Sequence, residues 1–257
     1  MRTAGFRSRY FATLITFGLP SAGMGDPVSE LDDATARIQY AFYAADIRGI
    51  QDALALVQRL ELPVSRKGMK EYYTAYGHWK LAELYADEAA AGQRAARSSA
   101  QRTAEVCEKA AAEAAKIDSR LAEAHAIQAR CAALSSRAPE RLSLGSCLRH
   151  KGLSRARELD GANPRVRLIE AQCMWDEERN RGALLTRVQD IVRDFDATPP
   201  ASPGRPDWGQ PEAHVLLGRL QLEQGNRLAA RDSFERALAI APDYRKARQL
   251  LQQATTR

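Results

Sequence analysis

Apolar and small residues along this chain recur at helical spacing. The stretch "LLGRLQLEQGNRLAARDSFERALAIAP" (216–242) shows the pattern most fully. Ala230, Phe234 and Ala237 lie four and three apart and share one helix face. Gly225, followed by Asn226, ends a first helix because glycine tolerates the left-handed turn, and Pro242 stops a second. Two helices joined so tightly need small side chains where their axes come within ~8–10 Å. Gly218 on the first helix and Ala230 and Ala237 on the second supply them, and Phe234 fills the hollow they leave.

Weaker copies of this hairpin precede it. "AEAHAIQA" (122–129) parallels "PEAHVLLG" (211–218), and Ala129 and Ala171 stand 42 residues apart, as Ala114 and Ala156 do. Gly77 takes the small position in "KEYYTAYGHWKLAELYADEAA" (70–90), and Ala41 and Ala53 take it further upstream. The pattern predicts five helical hairpins over 28–62, 66–118, 120–160, 164–195 and 211–241, closed by a polar capping helix over 243–256. Five prolines in 197–211 forbid helix there, so that segment is a loop or hinge, with Trp208 packed back on the helices.

Leu217, Gly218, Gly225, Ala230, Phe234, Ala237 and Pro242 sit at the spacing of a ~34-residue unit that resembles the tetratricopeptide repeat. The chain departs from that family where His214 and Gln221 replace aromatic residues. The resemblance implies an all-α fold, a right-handed superhelical stack of antiparallel hairpins. It also implies a concave surface, lined by the first helices, that receives a peptide or partner protein. The residue after each small position then faces that surface: His78, Arg130, Gln172 and Arg219, joined by Arg165 and Trp175. Such a set suits an acidic segment or a chain-terminal carboxylate, with a solvated charged face as the alternative. Tyr72, Tyr76 and Trp79 share a face and read as helix packing or as peptide contacts.

Residues 1–25 follow another logic. An arginine-bearing start, an apolar run from Tyr10 to Leu19 and then small residues make the three-part layout of a secretory signal. Cleavage is expected before Asp26, leaving a single helical-repeat domain over 26–257 that is periplasmic or secreted, with no stable membrane insertion. The formal charge is +6, and loss of Arg2, Arg7 and Arg9 with an acid-free segment leaves +3. So weak a basic bias gives no support to a nucleic-acid partner.

An oxidising compartment gives the four cysteines a use. Residues equidistant from a turn lie level on antiparallel helices. The midpoints of Cys107 with Cys131 and of Cys147 with Cys173 fall at 119 and 160, both at handovers between hairpins. This favours those two disulfides. Pairing Cys107 with Cys147 and Cys131 with Cys173 is the second choice, and four buried free thiols is the alternative to both.

For catalysis the sequence offers little. It holds no HExxH and no GxSxG. Of the histidines, His125 and His214 occupy equivalent repeat positions and read as filling for the hairpin interior. Cys147 and His150, three apart, could supply two zinc ligands, but two more would have to come from other helices. The expectation is therefore a non-catalytic protein–protein scaffold or adaptor of the bacterial cell envelope, without cofactor or metal. A helical enzyme subunit with a metal-assisted site at Cys147 and His150, or a cytosolic RNA-binding helical repeat, are the alternatives.

Overall fold

The computed structural model describes residues 26–136, 147–177 and 180–256. The expected signal segment and its cleavage point's upstream side lie outside these residues. Among them the chain forms eleven α-helices and no strand. They are α1 (Pro27–Tyr43), α2 (Ile47–Arg59), α3 (Met69–Ala90), α4 (Arg94–Ile117), α5 (Ala122–Ser135) and α6 (Lys151–Asp160). Then come α7 (Pro164–Asp176), α8 (Arg181–Ala197), α9 (Gln210–Glu223), α10 (Arg227–Ile240) and α11 (Arg245–Thr255). The five expected hairpins correspond to the pairs α1–α2 through α9–α10, and α11 follows them. Each helix packs on its successor, and α1, α3, α5 and α7 also touch one another in turn.

Local chemistry sets the helix ends. Asp46, Asn163, Asn180 and Asn226 accept hydrogen bonds from backbone N–H groups at the starts of α2, α7, α8 and α10. Each satisfies a donor that the first helical turn leaves unpaired. Pro27 and Pro164 stand in the first turns of α1 and α7, where a missing N–H costs nothing. Gly225 adopts φ +76° just past α9, so Asn226 N–H can reach back to the Gln221 carbonyl at 2.8 Å.

The α9–α10 seam is as tight as the small residues imply. A Cβ on Gly218 would stand 2.4 Å from Phe234 Cε1, and Ala230, Phe234 and Ala237 are fully buried. Ala129 and Ala171 are equally buried, and Leu217 is buried beside Gly218. Gly77 differs from expectation. A Cβ there would meet Leu54 at 2.6 Å and Ile38 at 3.2 Å, so its closest neighbours belong to α2 and α1, the preceding hairpin, rather than to α4. On α4 the small positions are instead Ala104, Cys107, Ala111 and Ala114, a fully buried stripe spaced three, four and three. At the far end Ala230, Phe234 and Ala254 form a small core with Leu250 and Leu251, while Arg245, Arg248, Gln249, Gln252 and Gln253 of α11 face solvent.

Two disulfides cross the seams. Cys107 of α4 pairs with Cys131 of α5, and Cys147 pairs with Cys173 of α7, with Cα–Cα separations of 5.9 and 5.7 Å. This is the pairing the turn midpoints favour. Each closes a loop of 24 or 26 residues, worth ~3 kcal/mol in the chain-entropy picture.

The proline-rich connection between α8 and α9 is held by specific bonds. Gly204 N–H donates to Asp32 at 2.7 Å, Arg66 donates to the Pro203 carbonyl at 2.7 Å, and Gln39 donates to Asp207 at 2.7 Å. Trp208 is buried, as expected; its indole N–H donates to the Tyr72 hydroxyl at 2.6 Å, and its ring stacks on Tyr76 with centroids 5.4 Å apart. Gly209, at φ +112°, turns the chain into α9 against Phe195, which a Cβ would meet at 2.8 Å. This loop therefore fastens the last hairpin to α1 and α3.

The Gly218–Phe234 contact makes a direct test. Gly218→Ala gains up to ~1 kcal/mol of helix propensity but overpacks the seam by ~1–3 kcal/mol, so a net loss of stability is expected in urea unfolding. Combining it with Phe234→Leu should cost less than the sum of the single changes, because the second change makes room for the first.

Candidate binding site

A charged residue stands where α3 should be apolar. From Tyr72 to Leu84 this helix is buried around most of its circumference, and Lys80 lies in the middle of it, fully inaccessible. Its ammonium sits 3.8 Å from the Trp79 ring centroid, 4.5 Å from Phe42, 5.6 Å from Tyr76 and 5.8 Å from Trp208. Two carboxylates complete the surroundings: Glu212 at 3.2 Å and Glu83 at 3.4 Å. Glu212 also accepts from the Tyr43 hydroxyl at 3.0 Å. One cation thus ties α1, α3, α9 and the Trp208 loop, with ring faces and acids both compensating its lost hydration.

The charge network continues outward. Glu83 pairs with Arg130 of α5 at 3.5 Å, and Arg130 makes a close ion pair with Asp176 of α7. Burial works to raise the Glu83 carboxyl, but Lys80, Arg130 and Lys246 outweigh it and hold its pKa below the ordinary value. Burial likewise opposes the Arg130 charge, and Asp176 and Glu83 reverse that effect.

Above this network lies a cavity of about 580 Å³. Helices α3, α5, α7 and α9 all contribute to its wall, with α8 and α11. Arg130, Gln172, Trp175 and Arg219, four of the six residues read from the sequence as groove residues, line it together. His78 and Arg165 do not. Burial lowers the His78 pKa, and its Nδ1 has no hydrogen-bond partner among the described residues. Arg165 stands with its guanidinium carbon 5.9 Å from the Phe195 ring.

The cavity's cations are not equivalent. Arg130 is spent on Glu83 and Asp176, so it serves as a wall brace rather than a free ligand group. Lys246 bridges to Asp87 at 2.9 Å, linking α11 to α3 across the rim. Arg181 pairs with Glu223 at 3.3 Å and donates to the Trp175 carbonyl at 3.1 Å. Arg219 alone among these four has no carboxylate within 4.0 Å among the described residues. Its guanidinium carbon lies 4.2 Å from the Trp175 ring centroid, and that of Arg181 lies 4.1 Å from it. Burial holds the Arg219 pKa down, against the pull of Asp176, Asp87 and Glu223. Gln172 Oε1 is buried without a hydrogen-bond partner among the described residues. The wall therefore offers one uncompensated positive group stacked on an indole, an unused amide acceptor, and apolar surface from Leu134, Val215 and Leu216.

A second depression of about 680 Å³ lies among α6, α7 and α8. Its arginines are already paired: Arg157 and Arg187 both with Glu170, and Arg167 with Asp194.

The zinc reading of Cys147 and His150 is corrected by geometry. Cys147 is in a disulfide, and residues 147–149 form a single 3-10 turn rather than a helix face shared with His150. His150 caps α6, its Nδ1 accepting from Gly152 N–H at 3.0 Å. No group of three or more His, Cys, Asp or Glu placed to hold a metal ion occurs among the described residues. No helix among them is long and apolar enough to cross a membrane. His214 is buried as expected, its pKa lowered by burial, whereas His125 is only half-buried and meets the Ser119 carbonyl at 3.2 Å.

Sequence reading did not single out Lys80, Glu83, Glu212 or Asp176. A signal for the first was present: a lysine among Tyr76, Trp79, Leu81, Ala82 and Leu84, with Glu83 three residues on. Comparison of the chain with protein-family models and with curated proteins gives no match.

Two outcomes are expected here. Lys80→Ala leaves Glu212 buried beside the aromatic rings without its cation and should cost ~3–5 kcal/mol in chemical unfolding, whereas Lys80→Met with Glu212→Gln should recover much of that loss. Tyr43, Tyr72, Tyr76 and Tyr244 have pKa values raised well above 10.0, first by burial and next by a nearby carboxylate: Glu123 for Tyr72, Glu212 for the other three. The folded form thus keeps protons that the unfolded chain gives up. Stability from these groups is full below pH ~10 and lost as pH rises beyond it, so tyrosinate absorbance should appear together with loss of helicity.

Proposed function

We propose that this chain is a non-catalytic protein-binding module, a tetratricopeptide-type stack of helical hairpins that takes a segment of a partner protein in the 580 Å³ cavity. The observation that carries this reading is the Arg219–Trp175 pair: a half-buried guanidinium without a carboxylate partner among the described residues, facing a cavity that four odd-numbered helices build together. An anionic group from a partner is the natural complement, held by a charge-assisted hydrogen bond worth ~1.5–3 kcal/mol. Serial packing of hairpins and the buried small residues at their seams support a superhelical stack. The reading differs from the one drawn from sequence: His78 and Arg165 are left out of the groove, and Arg219 is the arginine offered to a partner, because Arg130 is committed within the wall.

The cell envelope or exterior is the proposed setting. Two disulfides and the three-part layout of residues 1–25 support it.

The test is crosslinking in cells followed by identification of the captured protein, repeated with variants. Arg219→Glu should lower capture of the specific partner about tenfold or more, while far-UV circular dichroism is unchanged. Arg157→Glu, in the other depression, should leave capture intact. Equal capture by wild type and Arg219→Glu would remove the cavity from the binding surface. Arg130→Glu is expected to unfold the protein and so does not probe binding.

A further inference from the structure

Charge around the 580 Å³ cavity is closely balanced. Among the described residues five carboxylates line it, Glu83, Asp87, Asp176, Glu177 and Glu212, against four cations. Lys80, just beneath, adds a fifth cation through its pairs with Glu83 and Glu212. Among these groups the charges cancel, so the site is not a basic groove. Asp87 and Asp176 keep about half of their side chains exposed, although each holds a cation, Lys246 and Arg130 respectively. Their charge already reaches Arg219: both, with Glu223, pull its pKa up against burial.

One anionic group has a place in this field. The Arg219 guanidinium, stacked on Trp175, has no salt-bridge partner among the described residues. A second anionic group on the same occupant would meet cations that are already paired, beside half-exposed carboxylates. Gln172 Oε1, buried in the same wall without a hydrogen-bond partner among the described residues, calls for an N–H donor, which a peptide backbone supplies. Leu134, Val215 and Leu216 offer apolar surface to uncharged side chains. A volume of about 580 Å³ is that of a small-ligand site, so it encloses only a short stretch of a partner.

We propose that the cavity selects its partner segment by charge count, taking one carboxylate among uncharged residues and refusing acidic runs and phosphate esters. The proposal deepens the protein-binding reading and rests on it. Arg219 takes the carboxylate, Gln172 accepts an N–H from the occupant's main chain, and Asp87 and Asp176 repel any further negative charge. Like charges facing each other across an interface exclude wrong partners. The acidic segment expected from the sequence is thereby narrowed to a single acid.

Two random heptapeptide libraries, one amidated and one with free C-termini, test the rule by affinity selection on the native protein and sequencing of retained peptides by mass spectrometry. Retained peptides should carry one carboxylate in all: one Asp or Glu in the amidated library, and none besides the terminus in the free-ended one. A yield from one library alone also supports the rule and shows whether a side chain or a chain end supplies the group. Adding two glutamates to a retained sequence, or placing phosphoserine at its acid, should weaken binding about tenfold. Asp87→Asn removes one rim carboxylate from an exposed pair, so the fold should persist. It should restore about threefold of the binding lost to the added acids; unchanged discrimination overturns the part given to Asp87. Acid-rich peptides retained by wild type and lost with Arg219→Gln overturn the charge rule but leave the cavity as the binding site. Retention of the same peptides by Arg219→Gln, or of none by wild type, overturns the cavity reading together with the rule.

Discussion

The placement of Lys80 is the constraint from which most of the rest follows. An ammonium with no access to water must be compensated on every side, and no single helix can do that. Phe42 comes from α1, Tyr76, Trp79 and Glu83 from α3, Trp208 from the loop before α9, and Glu212 from α9. Chain segments some 170 residues apart therefore meet around one atom. Those segments are the first two hairpins and the last, so the requirement also fixes how the series of hairpins folds back on itself.

The cavity is a consequence. With Lys80 and its acids forming a buried base, the odd-numbered helices rise around it, and Arg130 braces the wall between Glu83 of α3 and Asp176 of α7. The Lys246–Asp87 pair closes the remaining gap between α11 and α3. Exposed pairs of this kind contribute little to stability. Charges inside the wall nearly all cancel one another. That cancellation is what makes Arg219 conspicuous, and what turns a broadly basic groove, as expected from the sequence, into a site with one cationic point stacked on Trp175.

The covalent and noncovalent braces divide the work. Cys107–Cys131 reinforces a seam that alanine packing also holds, whereas Cys147–Cys173 ties the three-residue turn before α6 to α7. Loop-closure entropy is similar for both, because the loops are nearly equal in length; the difference lies in the native contacts beside them.

Helix positions were written in the chain because helix formation and hairpin packing are local. Gly218, Ala230, Phe234 and Ala237 specify a seam through spacing alone, Gly225 and Pro242 specify its ends, and the cysteines reveal their partners by distance from a turn. Gly77 shows where locality ends: its small size was legible, but whether it faced its own hairpin or the one before it depended on how hairpins stack. The same holds for Arg130, which spacing placed correctly at the cavity yet could not show to be neutralised, since Glu83 and Asp176 lie 47 and 46 residues away in sequence. Only the tertiary structure decided that Trp208 and Glu212 would meet Lys80, because burying a charge is a demand met by whatever the whole fold brings near, and no periodicity along the chain encodes that meeting.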